Sequence, residues 1–282
     1  MRVLLTNDDG IRAPGIIALY DALIARESIG ITEILAVAPL TVQSATSHGI
    51  TYDRPLMTKA ASAETSTDPK TGAPIHHRIP GIAVDGRPAD CTKLALTNLW
   101  PERYGEGSRP DLVISGMNMG ANAGINVIYS GTVAAAIEAA FLGVPSIAVS
   151  MHLHRGTPDY RTGAAHAART IERLIRGGLP DPHACLNINI PRCEIEDASH
   201  ADPIEPEVCP MNTHGLVDRY ERRENPEGRA YYWPNGDGME FRGADEGTDV
   251  ERLFERAITV TPLSYNMTDE TAMEHWRARA AD

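Results

Sequence analysis

Long apolar runs, clusters of basic residues and closely spaced cysteines are all missing from this sequence of 282 residues. No stretch of about 18 uninterrupted apolar residues occurs, so the sequence predicts no membrane-spanning helix. The formal net charge is -12, and no run of five or more Lys and Arg residues occurs. We therefore expect no binding to a nucleic-acid duplex, because proteins that bind one carry a basic surface.

The cysteines and the first residues both indicate the cytoplasm. The four cysteines include no Cys-x-x-Cys pair, which disfavours a zinc knuckle and a disulfide framework. Carboxylates follow the short apolar start of the chain, where a secretion signal would need a longer apolar segment. We expect small buried thiols in a reducing compartment, at Cys91, Cys185, Cys193 and Cys209.

Short apolar segments alternate with segments of helical periodicity through the first 192 residues. The predicted strands are residues 2–7, 33–38, 111–115, 146–150 and 186–190. The predicted helices are residues 16–24, 132–142 and 161–175. Because this order makes successive βαβ units, we predict a doubly wound, mostly parallel, Rossmann-like α/β core over residues 1–192.

The composition changes after residue 192, where Asp, Glu, Gly, Pro and Arg dominate. We predict a C-terminal extension over residues 193–282 that contains an exposed hairpin and a strand returning to the core. Residues 231–233 and 258–260 are the predicted hairpin strands. Alone, such a polar segment buries too little apolar surface, so it must lie on its own core or on another chain.

Two further segments are predicted from local composition. A terminal helix is expected over residues 269–280, with Thr268 as its cap and an acidic first turn. Residues 60–73 are rich in Ser, Thr and Ala, and are expected to form a mobile surface loop.

Asp8 and Asp9 directly follow the first predicted strand. In an open α/β sheet, ligands bind beyond the carboxyl ends of the strands. A turn at Gly10 can direct two successive carboxylates towards one cation. The alternative is that both side chains only end the strand, by hydrogen bonding to nearby backbone groups.

The loops after the second and third core strands carry neutral oxygen atoms. Residues 41–48 contain Thr, Gln and Ser side chains, and residues 115–124 are rich in Gly and Asn. Together with one or two carboxylates, such oxygens suit a hard cation, Mg²⁺ or Mn²⁺. Read alone, residues 41–48 are more typical of a turn that caps the next element.

The start of the Ala-rich helix is a candidate phosphate site, because the first N–H groups of a helix lack partners within it. Glycines before this helix would let the backbone approach a ligand. The pattern matches neither the Walker sequence nor Gly-x-Gly-x-x-Gly at a helix start. The predicted phosphate contacts are Asn122, Ser130, Gly131 and Thr132.

Histidines supply no clear metal site. The pairs His76-His77 and His152-x-His154 lack the neighbouring Cys or Glu of zinc sites, so we expect surface side chains. His214, in the polar extension, is a candidate proton donor to a leaving alcohol if the extension folds over the site.

Two blocks of sequence are specific enough to indicate a family. Residues 4–10 read Leu-Leu-Thr-Asn-Asp-Asp-Gly, and residues 115–124 read Ser-Gly-Met-Asn-Met-Gly-Ala-Asn-Ala-Gly. Residues 127–136 continue with Val-Ile-Tyr-Ser-Gly-Thr-Val-Ala-Ala-Ala. In these blocks the chain resembles the SurE (survival protein E) family of 5′/3′-nucleotidases, and shorter matches extend the resemblance over nearly the whole chain.

The resemblance implies one divalent ion per subunit and a homodimer or homotetramer that exchanges C-terminal elements. The implied metal ligands are Asp8, Asp9, Ser44 and Asn118. The chain departs from the family pattern at Ala45, where Gly usually follows the serine, and at Ile125-Asn126, where acidic residues are common. None of these departures removes an implied ligand.

The predicted activity is metal-dependent hydrolysis of nucleoside monophosphates to nucleoside and phosphate. The order of preference between 5′- and 3′-phosphates stays open, as does the hydrolysis of short polyphosphate. Asp9 is the candidate for a role beyond coordination, either towards the attacking water or as a nucleophile. The alternatives are a non-catalytic nucleotide-binding module and a metal-dependent deacetylase, although deacetylases carry a His-Pro where Asn7 stands here.

Overall fold

The computed structural model describes residues 1–68, 72, 74–197, 199, 202–236 and 238–281. The strands are, in chain order, β1 (Arg2–Thr6), β2 (Glu33–Pro39), β3 (Thr58–Ala61), β4 (Glu64–Thr67), β5 (Pro74–Arg78), β6 (Gly81–Val84), β7 (Leu112–Met119), β8 (Ser146–Met151), β9 (Cys185–Ile190), β10 (Pro206–Val208), β11 (Tyr220–Glu224), β12 (Ala230–Pro234) and β13 (Ile258–Leu263). The α-helices are α1 (Pro14–Ala25), α2 (Pro88–Leu94), α3 (Trp100–Tyr104), α4 (Gly131–Phe141), α5 (Tyr160–Ile175), α6 (Asp249–Phe254) and α7 (Met273–Ala280).

One nine-stranded sheet organises the chain, in the order β10-β13-β9-β8-β7-β1-β2-β6-β3. The strands from β9 to β6 in this order run parallel to one another. Antiparallel pairing occurs next to them, where β13 joins β9 and β3 joins β6. The strand order reverses direction at β1, which puts a topological switch point beside the end of β1.

The two faces of the sheet are covered by different helices, because successive side chains of a strand point in opposite directions. In β1, Val3 and Leu5 pack in a core with residues of α1 and α5, whereas Leu4 packs on the other face with residues of α2 and α4. All three side chains are fully buried. Helices on both faces of a mostly parallel sheet confirm the predicted doubly wound α/β fold.

The predicted pairing of residues 231–233 with 258–260 is wrong. In the structure β12 pairs with β11 as a two-stranded hairpin whose residues are all exposed. β13 instead lies inside the central sheet between β9 and β10, with Ile258 and Val260 buried. β13 therefore behaves as the predicted strand that returns to the core, since its apolar side chains find partners there and would have none in the hairpin.

Two local predictions also need correction. The segment predicted as a loop over residues 60–73 contains the end of β3 and all of β4, while residues 69–71 and 73 lie outside the described residues. The terminal helix begins at Met273 rather than near residue 269, because the Asp269 carboxylate accepts hydrogen bonds from the N–H groups of Thr271 and Ala272 in a preceding turn. Thr268 does not cap it.

The cysteine prediction is confirmed in its structural part, since all four side chains are buried and free. Among the helices of the described residues, none is sufficiently long and apolar to span a bilayer.

Candidate active site

Asp8 and Asp9 lie at the carboxyl edge of the sheet, immediately after β1, and both are buried. The backbone N–H of Gln43 donates to the carbonyl oxygen of Asp8 at 2.8 Å, which fixes the loop after β2 beside Asp8. The backbone N–H of Met119, at the end of β7, donates to Oδ2 of Asp9 at 2.9 Å. The ends of β1, β2 and β7 therefore meet at the two carboxylates.

The turn that presents the two carboxylates is made by Asn7 and Gly10. The Asn7 side chain donates from Nδ2 to the Gly10 carbonyl at 2.9 Å and accepts at Oδ1 from the Gly10 N–H at 3.1 Å. Gly10 has a φ of +97°, and a Cβ there would lie 3.3 Å from the carbonyl oxygen of Pro39. Asn7 thus provides the side-chain hydrogen bonds that end the strand, and the two carboxylates are not needed for that purpose.

Burial dominates the electrostatics of the aspartate pair. It raises the pKa of Asp8 to about 6, although the hydrogen bond from Thr132 works in the opposite direction and the charge of Asp9 adds to the rise. Burial also raises the pKa of Asp9, against the hydrogen bond from Met119. Within the described part of the chain, neither carboxylate forms an ion pair with Lys, Arg or His. Two adjacent buried carboxylates without a cationic partner suit a bound metal ion.

The two other implied ligands lie in segments that these hydrogen bonds bring to the aspartates, Ser44 in the loop after β2 and Asn118 near the end of β7. Ser44 is exposed, in the loop that the Gln43 N–H attaches to Asp8. Asn118 is half-buried, next to the residue that donates to Asp9, and its Nδ2 donates to the Gly120 carbonyl at 2.7 Å. That bond leaves the Asn118 amide oxygen as the atom with spare capacity to coordinate a cation.

The start of α4 lies against Asp8. The Thr132 hydroxyl donates to Oδ1 of Asp8 at 2.6 Å, and Thr132 is fully buried. Ser130 is the N-cap, and its Oγ accepts from the Val133 N–H at 3.0 Å. The structure therefore directs Thr132 to a carboxylate and Ser130 to its own helix, while phosphate binding by this segment stays a prediction.

Asn122 joins the loop after β7 to the next two strands. Its N–H donates to Oδ1 of Asn189 at 2.8 Å, and its Nδ2 donates to Oγ of Ser150 at 2.8 Å. Its carbonyl oxygen accepts from the side chains of Asn187 and Asn189. With its backbone N–H and one side-chain N–H engaged in this way, Asn122 fixes the shape of the loop. Its predicted contact with phosphate would have to use the second N–H of its side-chain amide, because phosphate oxygens accept hydrogen bonds.

Glu138 of α4 holds the loop that contains Ser44 in place. This residue of α4 is 4% exposed, and its carboxylate binds Nε2 of His48 at 2.7 Å and Nζ of Lys93 at 2.8 Å. Both partners lower the pKa of Glu138, against the opposing effect of burial. Ser47 adds a second attachment, because its Oγ donates to the carbonyl of Ile128 at 2.6 Å. The sequence signal for this anchor is a single acidic residue in an otherwise apolar helix.

We expect Glu138→Gln to weaken metal dependence without abolishing the reaction. Loss of the charge frees His48 and loosens the Ser44 loop, which is the kind of indirect support whose removal costs roughly 10- to 100-fold in metal affinity. The measurement is the metal concentration for half-maximal activity, together with kcat at saturating metal. The exposed Glu102 of α3 provides the control Glu102→Gln. An unchanged metal requirement in Glu138→Gln would rule out the anchoring role.

The five histidines named in the sequence analysis lie in different environments. His76 is half-buried, its Nδ1 hydrogen-bonds the Asp21 carboxylate and its ring meets the Tyr20 ring edge-on, so it is less exposed than the sequence predicts. His152 is also half-buried, with the centre of its ring 5.5 Å from that of Phe254.

His77 and His154 are exposed, as predicted. Nε2 of His214 binds the Asp245 carboxylate at 3.0 Å. Its predicted role as proton donor stays untested, because no contact joins it to Asp8 or Asp9 within the described residues.

The described residues contain no group of three or more His, Cys, Asp and Glu side chains that could hold a metal ion. A zinc site of the type used by deacetylases would need such a group. The arrangement at Asp8 and Asp9 differs, since it joins two carboxylates to hydroxyl and amide oxygens. That donor set suits Mg²⁺ or Mn²⁺.

Comparison with known proteins identifies the family of this chain. The family described as survival protein SurE matches residues 3–214. A protein of Rhodopirellula baltica named 5′-nucleotidase SurE is 41% identical, with 99% of this chain and 100% of that protein covered. One of the same name from Syntrophobacter fumaroxidans is 40% identical, with 95% of each chain covered. The crystal structure of SurE protein from Aquifex aeolicus is similar, with 30% identity, a TM-score of 0.74, and 99% of this chain and 100% of that chain covered. The chain belongs to the SurE family.

Proposed function

We propose that this protein is a 5′-nucleotidase, which hydrolyses nucleoside monophosphates to nucleoside and phosphate in a metal-dependent reaction. The observation that carries the proposal is the pair of buried carboxylates, Asp8 and Asp9, which lie at the switch point of the sheet and have no cationic partner among the described residues. Full-length similarity to proteins named 5′-nucleotidase SurE supports the same activity.

Asp8, Asp9, Ser44 and Asn118 are the residues that we propose to hold a single Mg²⁺ or Mn²⁺ ion. When bound, such an ion lowers the pKa of a water molecule and offsets the charge of the phosphoryl oxygens. Thr132 and Met119 keep the two carboxylates in place by their hydrogen bonds. Since positioning and electrostatics supply most of the rate in phosphoryl transfer, rigid support of this kind is what the reaction requires.

The two carboxylates have different freedom to act. Asp8 accepts a hydrogen bond from the Thr132 hydroxyl and is 5% exposed, whereas Asp9 accepts one from the Met119 N–H and is slightly more exposed, at 8%. We therefore propose that Asp9 carries the additional role, which is to accept a proton from the attacking water. The first N–H groups of α4 lie beside Asp8 and would favour a phosphoryl oxygen there. Asn122, Ser130, Gly131 and Thr132 remain the proposed phosphate segment.

Release of phosphate from nucleoside 5′- and 3′-monophosphates, with and without a chelator, tests the proposal. We expect release with Mg²⁺ or Mn²⁺ and its loss with the chelator. A nucleotide-binding module would bind the same nucleotides without releasing phosphate. A deacetylase would release acetate from an acetylated substrate and leave the nucleotide intact. Either result would overturn the assignment.

Gly131→Val is expected to disrupt the site from the helix side. A Cβ at this position would lie 2.9 Å from Cβ of Asp8 and 2.9 Å from Cγ of Pro88. Either Asp8 or the helix must move, and a displacement of roughly 1 Å at a catalytic group costs about 100-fold in rate. Nucleotide kinetics and inhibition by free phosphate measure the effect.

Thr132→Val makes a milder change at the same place, since it keeps the shape of the side chain and removes the hydroxyl that holds Asp8. We expect a loss of about tenfold in kcat/KM, because hydrogen bonds to charged groups contribute about 1.5–3 kcal/mol. Gly177→Val is the control, since the space around Gly177 is open. Kinetics identical to the parent in both site variants would contradict the proposed phosphate segment.

We also propose a cytoplasmic homodimer or homotetramer. The unpaired cysteines fit a reducing compartment. The hairpin of β11 and β12 projects with Tyr231, Tyr232 and Trp233 all exposed. Large aromatic side chains on such a hairpin are typical of a surface that is covered by another chain.

A further inference from the structure

A cavity opens at the carboxyl edge of the sheet, which is also the edge that carries Asp8 and Asp9. Its volume is about 540 Å³, and its walls come from four separate segments of the chain. Arg155 lies in the loop after β8, Arg192 follows β9, and Arg256 follows α6. His152 and His154 lie at the same cavity, so five side chains that can carry positive charge converge on it.

The charge of this cavity is opposite to that of the protein. The whole chain has a formal net charge of -12, yet the described lining of the cavity contains neither Asp nor Glu. Arg256 is partly neutralised, because its Nη2 lies 3.2 Å from the Asp197 carboxylate. Within the described residues, the guanidinium groups of Arg155 and Arg192 form no ion pair or hydrogen bond. Two arginines without internal partners leave ten N–H donors, about five on each, for a ligand.

The cavity adjoins the candidate active site through the strand ladder. Met119, whose N–H holds Asp9, pairs in register with Met151 at the end of β8. The next residue, His152, lies on the cavity wall and is fixed by its N–H bond to the Ile190 carbonyl at 2.8 Å. Since neighbouring strands are about 4.8 Å apart, the near wall of the cavity lies roughly one strand spacing beyond β7.

The rest of the lining is apolar and consists of Leu153, Met239, Leu253 and Phe254. Leu253 is buried, and the Phe254 ring meets the His152 ring edge-on at 5.5 Å. Apolar surface beside the arginines replaces part of the water around them, which strengthens their attraction for an anion. The planar guanidinium fork of arginine matches the oxygens of a phosphate group and binds them in pairs.

We propose that this cavity is a second phosphate-binding subsite, which Arg155 and Arg192 form next to the metal site. It takes a phosphate group that is not the one hydrolysed. The phosphate is either free inorganic phosphate or the second phosphate of a nucleotide that carries two. The binding claim is independent of the proposed nucleotidase activity, whereas the assignment of a substrate phosphate rests on that activity.

The binding test titrates the full-length protein with inorganic phosphate by calorimetry, in the presence of Mg²⁺ and again with a chelator. We expect one phosphate site that survives the chelator in the parent protein. The double variant Arg155→Gln/Arg192→Gln should lose at least tenfold in affinity at that site. Arg176→Gln changes an exposed arginine at the end of α5 and should bind as the parent does.

Parent protein without a chelator-resistant site would overturn the proposal, and so would equal affinity in parent and double variant. Equal thermal midpoints and circular dichroism spectra for all variants exclude a general loss of fold. Because the titration needs no turnover, it stays decisive if the protein hydrolyses no nucleotide at all, a result that would contradict the proposed function alone.

A kinetic comparison separates the two sources of phosphate. If the second phosphate of a substrate occupies the subsite, the double variant loses at least tenfold in kcat/KM for a nucleoside 3′,5′-bisphosphate. Its kcat/KM for the 5′-monophosphate should stay within about twofold of the parent. If free phosphate occupies the subsite, added phosphate changes the rate of monophosphate hydrolysis in the parent protein but not in the double variant. The ratio of kcat/KM for the bisphosphate to kcat/KM for the monophosphate is then the same in both proteins. The subsite would be refuted if the double variant binds phosphate as the parent does and shows neither of these two kinetic changes.

Discussion

Asp8→Asn and Asp9→Asn are each expected to remove most of the phosphatase activity and to leave the fold intact. Asparagine keeps the size of the side chain and an oxygen that can accept from Thr132 or Met119. It removes one of two charges that would hold the cation. Since changes in the surroundings of a ligand already cost 10- to 100-fold, loss of a charged ligand should cost at least about 100-fold.

The stability of the two variants provides a second readout. Burial raises the pKa of both carboxyl groups, so each ionised carboxylate lowers the stability of the metal-free fold at neutral pH. A neutral amide should therefore leave the thermal midpoint with chelator unchanged or raise it. Asp181→Asn, in the exposed turn before β9 at the opposite edge of the sheet, is the matched control. Full turnover of either site variant at saturating Mg²⁺ or Mn²⁺ would disprove the metal assignment.

Deletion of residues 194–282 is expected to give insoluble protein. It removes β13, which lies between β9 and β10, and exposes the full edge of β9. It also removes Asp249, whose buried carboxylate accepts a hydrogen bond from the N–H of Gly124 in the retained core. An unpaired strand edge next to freed apolar surface is a site of aggregation.

A shorter deletion, of residues 267–282, separates the role of the extension in completing the sheet from the role of its last helix. It removes α7, which has no buried residue, and keeps β13 in the sheet. We expect this variant to remain soluble and to form the same oligomer as the parent by light scattering, because it keeps the exposed hairpin of β11 and β12. Soluble, native-like protein after the longer deletion would contradict the role of β13. Active parent protein with the mass of one chain at micromolar concentration would contradict the proposed oligomer.

The sheet and its helices follow from local properties of the chain. The short apolar segments at β1 and β8 and the helical spacing of α5 are periodic patterns that a chain carries in any environment, so their order alone predicts parallel βαβ units. The strand with which β13 pairs does not follow from a local pattern. It pairs with β9, about 70 residues earlier, and the same apolar pattern would fit an edge, a hairpin or a central position. Packing on the neighbouring strands decided among them.

The candidate site also has features that follow from the sequence and others that only the tertiary structure decides. The sequence by itself determined that Asp8 and Asp9 follow a strand, and since parallel strands end at one edge, it also determined which loops lie near them. Tertiary structure alone decided that Thr132 holds Asp8 and that Glu138 holds the Ser44 loop. It also decided that arginines from three segments converge on one cavity. Each of these contacts joins residues that are far apart in the chain, and no local pattern records the distance between them.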